Sequence, residues 1–198
     1  MSTTLVTHKQ TPTEHDILDV IKNRWSPRSF SEESVDQETL NRLFEAVRWA
    51  PSAMNEQPWR FIVSKLGESG HEQMIESLMP GNQPWAKHAP VLITTLVKKT
   101  YTNSGSHNGA AKHDLGLAMG NFSAQATHEG LLLHQMGGFH KSKIIELFSI
   151  PEDYEPVTIV AVGYPGDPDN LTEDLRAREL APRSRKQIEE IVYYGNFK

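Results

Sequence analysis

The residues best suited to chemistry in this chain are arginines set in short loops. Arg24-Trp25-Ser26-Pro27-Arg28 places two guanidiniums and a hydroxyl within five residues. Pro27 disfavours helix at Ser26, so the run reads as a loop. Such a loop can grip a phosphate dianion through charge-assisted hydrogen bonds, for which the planar guanidinium fork is well shaped. Taken alone, the run reads more simply as solvated surface. Arg183-Ser184-Arg185 is a second pair with the same double reading. Between the two lies Pro51-Ser52-Ala53-Met54-Asn55-Glu56-Gln57-Pro58-Trp59, whose polar groups could bond the carbonyl and imide edge of a flat heterocycle. Its plainer reading is a helix-to-strand loop with Trp59 packed in the core. In Met136-Gly137-Gly138-Phe139 the tandem glycines would let a backbone approach a ligand closely and aim an N–H at it. The plainer reading there is a helix C-cap followed by a turn.

The missing chemistry is as informative. The chain has no cysteine, which removes disulfides, zinc–thiolate sites and cysteine nucleophiles. It has no GxxxxGK[ST], no GxGxxG after a strand, no HExxH and no GxSxG, and its nine histidines are scattered. A catalyst built on this sequence therefore needs an organic cofactor. The composition, 37% hydrophobic and 23% charged over 198 residues, suits one globular domain with its own core. A net charge of -5 without a basic block argues against nucleic acid. No run of about 18 apolar residues could span a membrane. Residues 1–15 are polar and lack the apolar core of a signal peptide, so a cytoplasmic location is expected. Residues 1–13 read as a mobile N-terminal arm and 14–198 as the domain.

The elements that must position these loops follow from periodicity. A short apolar helical face spans residues 17–21. A helix beginning near Ser34 or Asp36 carries Leu40, Leu43, Phe44 and Val47 on one face and ends before Pro51. Residues 59–64, 91–97 and 157–162 read as strands, the middle one a dense β-branched run. Shorter helices are expected at 71–78, 143–148 and 186–193, and a polar flap at 101–109. The longest helix is expected over 114–135. On it Gly116, Gly120 and Ala124 fall four apart, a stripe that lets another backbone come close.

In this order and at these separations, the four loop segments resemble the FMN-dependent nitroreductase family. The PSxxNxQPW run before a strand is the most specific piece, and the early RxSxR and late RxR strengthen it. The stretch 114–121 looks like the family's long central helix, and the likeness covers roughly residues 17–186. The resemblance implies an α+β fold, with a mixed or antiparallel sheet wrapped by helices, in an intertwined homodimer. It implies two FMN sites shared between the subunits. Arg24, Ser26 and Arg28 would hold the ribityl phosphate with Arg183 and Arg185, and Trp25 would contribute through its backbone. Pro51, Ser52, Ala53 and Asn55 would come from the partner subunit. Gly137 and Gly138 would lie against the flavin near its reactive edge, with Asn82 a further contact.

The activity so implied is ping-pong reduction of small conjugated acceptors such as nitroaromatics or quinones. NADH or NADPH passes a hydride to the flavin and leaves, and the acceptor enters the same open face. No side chain is expected to act as an indispensable acid or base. The acidic residue that precedes the glycine in some members is absent, Gly137-Gly138 standing there instead. Residues 66–109 vary in the family, and Trp85, Tyr101 and His107 are candidate pocket walls. The family also has dehydrogenase, dehalogenase and flavin-destroying branches, so another flavin reaction, or a non-enzymatic flavin carrier, stays open.

Overall fold

The computed structural model describes residue 9 and residues 11–197. The N-terminal arm expected over 1–13 lies, for residues 1–8 and 10, outside the described residues. Thr11 is tied down, its hydroxyl bonded to the Lys22 carbonyl and to Arg183.

The fold is built on the β-branched run. Strand β2 (Val91–Lys98) is buried from Val91 through Val97 and lies inside a four-stranded sheet. It pairs on one side with β1 (Trp59–Lys65) and on the other with β4 (Tyr154–Gly163), and β4 pairs with β3 (Leu132–Met136). The order is β1-β2-β4-β3 and every pairing is antiparallel, the all-antiparallel version of the expected sheet. Because side chains alternate along a strand, each face of the sheet gathers its own core. Ile93, Val97, Val160 and Val162 face one cluster, and Leu92, Leu96, Ile159 and Ala161 face the other. Both faces are covered by helices, which buries the apolar surface that would otherwise meet water.

On the first face lie α2 (Gln37–Arg48) and α5 (Ala111–His128). Asp36 caps α2 by accepting the Thr39 N–H at 2.6 Å, and Leu40, Leu43 and Val47 point inward at helical spacing. Leu115, Ala118, Phe122 and Ala126 are the matching buried face of α5. Its other face carries Gly116, Leu117 and Gly120, all exposed, and a Cβ at either glycine would meet nothing within 4 Å. The second face is covered by α3 (Ser69–Ser77), α4 (Gln83–Ala86) and α6 (Lys141–Leu147). The short helix α1 (Asp19–Lys22) makes one turn, and among the described residues nothing covers Leu18, 69% exposed, or Ile21, 52% exposed.

Three expectations are corrected. The long helix stops at His128 instead of running to Gln135. Gly130, at φ +80°, turns the chain and residues 132–136 become the fourth strand. Pairing with β4 overrides the helical preference of its leucines. Gly137-Gly138 therefore follows a strand, and the helix C-cap reading of it fails. A helix, α7 (Glu173–Leu180), stands where none was expected, while the tail helix at 186–193 shrinks to one 3-10 turn at Ile188–Glu190.

Candidate functional site

The loop after α1 is held at several points. Gly166 packs so close that a Cβ there would lie 2.5 Å from the Phe30 carbonyl carbon, and its N–H donates to the Ser29 carbonyl at 3.0 Å. Only glycine fits this approach. Trp25 is buried and its indole N–H donates to Glu179 Oε1 at 3.1 Å, while Glu179 Oε2 accepts the Arg28 backbone N–H at 2.9 Å. Arg183 donates from Nη2 to the Arg24 carbonyl at 2.8 Å and from Nη1 to the Lys22 carbonyl at 3.0 Å.

This framework brings Arg24, Ser26, Arg183 and Arg185 together. Arg24 Nη1 lies 3.5 Å from Ser26 Oγ, which is exposed. Burial lowers the pKa of Arg24, and the charge of Arg185 lowers it further. Burial does the same to Arg183, with Arg24 and Arg185 adding to it. Among the described residues no carboxylate forms an ion pair with Arg24, Arg28, Arg183 or Arg185. Guanidiniums that repel one another beside an exposed hydroxyl are chemically suited to an anion.

The 51–57 loop is a separate construction. Met54, Asn55 and Gln57 adopt φ of 55°, 53° and 50°. Non-glycine residues in this region carry strain of about 1–2 kcal/mol each, and surrounding bonds must hold them there. Asp114, buried on α5, accepts the Ala53 N–H at 3.1 Å, and Ser52 Oγ accepts the Gln57 N–H at 3.0 Å. Glu56 accepts from the backbone N–H of Thr102 at 3.0 Å and from its hydroxyl, which joins the loop to the 101–109 flap. Pro51, Met54 and Asn55 are exposed. The loop and the Arg183–Arg185 arm of the arginine cradle border different clefts of one chain. Asn55 and Gln57 border one of about 350 Å3 with Arg48, Trp49 and Ala50. Arg183 to Arg185 border one of about 500 Å3 with residues 12–15.

Gly137 is open, and a Cβ there would meet nothing within 4 Å. Gly138 lies against Met79 and Asn82, and its carbonyl accepts the Met79 N–H at 3.0 Å. Of the candidate pocket walls, Trp85 is 1% exposed in the core between Phe30 and His134, whereas His107 is exposed and Tyr101 half-buried.

A sequence model of the nitroreductase family matches residues 21–164. The chain belongs to the nitroreductase family. It is 30% identical over 159 residues to a protein of Methanothermobacter thermautotrophicus provisionally named an NADH dehydrogenase/NAD(P)H nitroreductase, across 77% of this chain and 78% of that one. It is 27% identical over 170 residues to the FMN reductase (NAD(P)H) of Bacillus subtilis, covering 77% of this chain and 67% of that one. A crystal structure described as an oxidoreductase containing FMN superposes with a TM-score of 0.87 at 31% identity, over 100% of this chain and 99% of the other.

Reasoning from the sequence missed three residues that shape this nitroreductase site. Glu179 sits on the unexpected α7, and Asp114 read only as part of a helix. His134 was one of the scattered histidines. Its Nδ1–H donates to the Pro27 carbonyl at 2.9 Å and its ring packs 4.5 Å from that of Trp85. Burial pushes its pKa down to about 4, the bond to Pro27 opposing this and the Arg28 charge adding to it. The unfolded chain protonates His134 near its ordinary value of about 6.5. Between 6.5 and 4 the unfolded state binds the proton and the native state does not, so stability falls as pH drops through that window. The loss attributable to His134 should be about 2 kcal/mol between pH 7 and pH 5. Urea unfolding of His134→Gln, whose amide can still reach Pro27, should show a flatter pH slope than the wild type by that amount. An unchanged slope would mean that the native imidazole is not held neutral.

Proposed function

We propose that this nitroreductase-family chain is an FMN-dependent oxidoreductase. It draws electrons from NADH or NADPH and passes them to small conjugated acceptors such as nitroaromatics or quinones, each FMN being held between two copies of the chain. The observation that carries the reading is the arginine cradle. Its like charges are unpaired among the described residues and face an exposed hydroxyl. The donor set fits a phosphate monoester, and an FMN-containing structure superposes on the whole chain.

Bound FMN supplies the two-electron chemistry that no side chain of this protein offers. Arg24, Ser26, Arg28 and Arg185 hold the phosphate, joined by whatever donor Arg183 retains beyond its bonds to the loop. Trp25 contributes through its backbone, since its indole N–H is engaged by Glu179. Gly137 presents bare backbone to the reacting edge and leaves room for a flat donor or acceptor, with Gly138 beside it seated against Met79 and Asn82. Donor and acceptor use this same face in turn, which predicts parallel lines in double-reciprocal plots. Protons come from solvent or from the acceptor itself.

The partner supplies the rest. Pro51, Ser52, Ala53 and Asn55 reach the flavin of the second copy, in keeping with a loop that borders a different cleft from the Arg183–Arg185 arm of the cradle. The glycine stripe supports the pairing. Glycine within a helix costs about 1 kcal/mol relative to alanine, and nothing among the described residues needs the space at Gly116 or Gly120. A second α5 packed there would need it.

The test is a visible spectrum of the purified protein before and after NADH or NADPH is added without air. A flavin band that bleaches on mixing is expected, and the faster donor is the preferred one. A band that persists with both donors would leave the cofactor in place and replace this reaction with another flavin chemistry. No flavin, and none taken up from added FMN, would overturn the reading.

A further inference from the structure

The family match ends at residue 164, yet residues beyond it clasp the loop that carries the cradle. We infer that Glu179 and Arg183, neither part of the matched region, are positioning residues that set the geometry of Arg24 and Arg28 for an incoming phosphate. The inference rests on the functional reading above and deepens it.

The two residues grip opposite ends of one loop with opposite charges. Arg183 sends Nη1 and Nη2 to the backbone carbonyls of Lys22 and Arg24, while Glu179 meets the Trp25 indole N–H and the Arg28 backbone N–H. A buried carboxylate is tolerated only when its oxygens are satisfied, and both oxygens of Glu179, 4% exposed, are taken. The decisive detail is which part of Arg28 Glu179 takes. It accepts the backbone N–H and forms no ion pair with the guanidinium. The carboxylate thus fixes Arg28 in place without neutralising it. Arg183 treats Arg24 likewise. The two guanidiniums repel each other, yet Arg183 bonds the Arg24 carbonyl and holds the pair close. The loop is fixed through its backbone while its cationic side chains stay available.

A double-mutant cycle on FMN affinity, read by flavin fluorescence, separates positioning from general stability. Glu179→Gln keeps one acceptor but turns an amide N–H toward the Trp25 indole N–H. It should weaken FMN binding by about 10- to 100-fold, the scale of a lost charge-assisted bond. Arg28→Ala should do the same. If Glu179 acts through Arg28, the double variant should bind at least fivefold more tightly than the product of the two losses predicts. Losses that multiply fully, or a Glu179→Gln protein that binds FMN within twofold of wild type, would overturn the clasp. Should Glu179→Gln fail to fold, Arg183→Lys with Arg24→Ala makes the same cycle at the other end. Full multiplication there would overturn the clasp at that end, leaving Arg183 only the phosphate contact made by its remaining donor. Wild-type protein that takes up no FMN would overturn the functional reading and the clasp with it. Wild type that binds, beside a Glu179→Gln protein that binds equally well, would overturn the clasp alone.

Discussion

Protein in which Arg24 and Arg28 are both replaced by alanine should purify almost colourless. Each guanidinium is expected to make a charge-assisted contact to the phosphate, of about 1.5–3 kcal/mol. Losing both should weaken FMN binding by roughly 10²- to 10⁴-fold. The fold should survive, because neither guanidinium forms an ion pair within the described chain and the loop is tied through its backbone instead. Removing the Arg24 charge should even relieve part of the repulsion around Arg183. The checks are the flavin-to-protein absorbance ratio and the urea midpoint of the apoprotein. A yellow double variant would refute the phosphate assignment. A colourless but unfolded one would show that the side chains hold the loop itself.

The second large effect belongs to the stripe on α5. Changing Gly116 and Gly120 to leucine gives opposite results according to whether that face is covered. On an uncovered helix the exchange relieves about 1 kcal/mol of helix penalty per site and the protein becomes more stable. On a helix packed against a second α5, two leucines force the axes apart and overpack the interface. The expected result is the second: sedimentation as a monomer, with loss of FMN, because the 51–57 loop no longer reaches its partner's flavin. A stabilised protein that keeps its FMN as a monomer would end the shared-site proposal.

Legibility in the sequence was uneven for physical reasons. Strand β2 and helix α2 were plain, since a β-branched run and a capped 3.6-residue period each point to one structure. β3 was not, because Leu132, Leu133 and Met136 favour helix when read locally, and only the ladder to β4 makes them a strand. Gly130 was the available signal, a glycine in a helical pattern that marked its end. α7 escaped because its only buried residue is Glu179 and it shows no apolar stripe. The cradle was partly legible. The two arginine pairs, far apart in sequence, were each weak alone and were joined on one phosphate only by the family resemblance, and nothing local could show that Arg183 turns to carbonyls or that a carboxylate anchors Arg28 by its backbone. Recognition of the PSxxNxQPW run joined what periodicity left separate.

Asp114 holds Ala53 from the same rigid helix that carries Gly120, and six residues of α-helix place the two about 9 Å apart along its axis. For two such helices packed across the stripe, side-chain ridges permit only discrete settings, and a slip by one turn moves everything attached by about 5.4 Å. The loop is attached at Ala53, so it would travel with the helix. A misregistered pair would therefore carry the loop a full turn out of place rather than slightly off. Such a protein should lose activity in whole fractions of the population and not by a uniform slowing of every molecule.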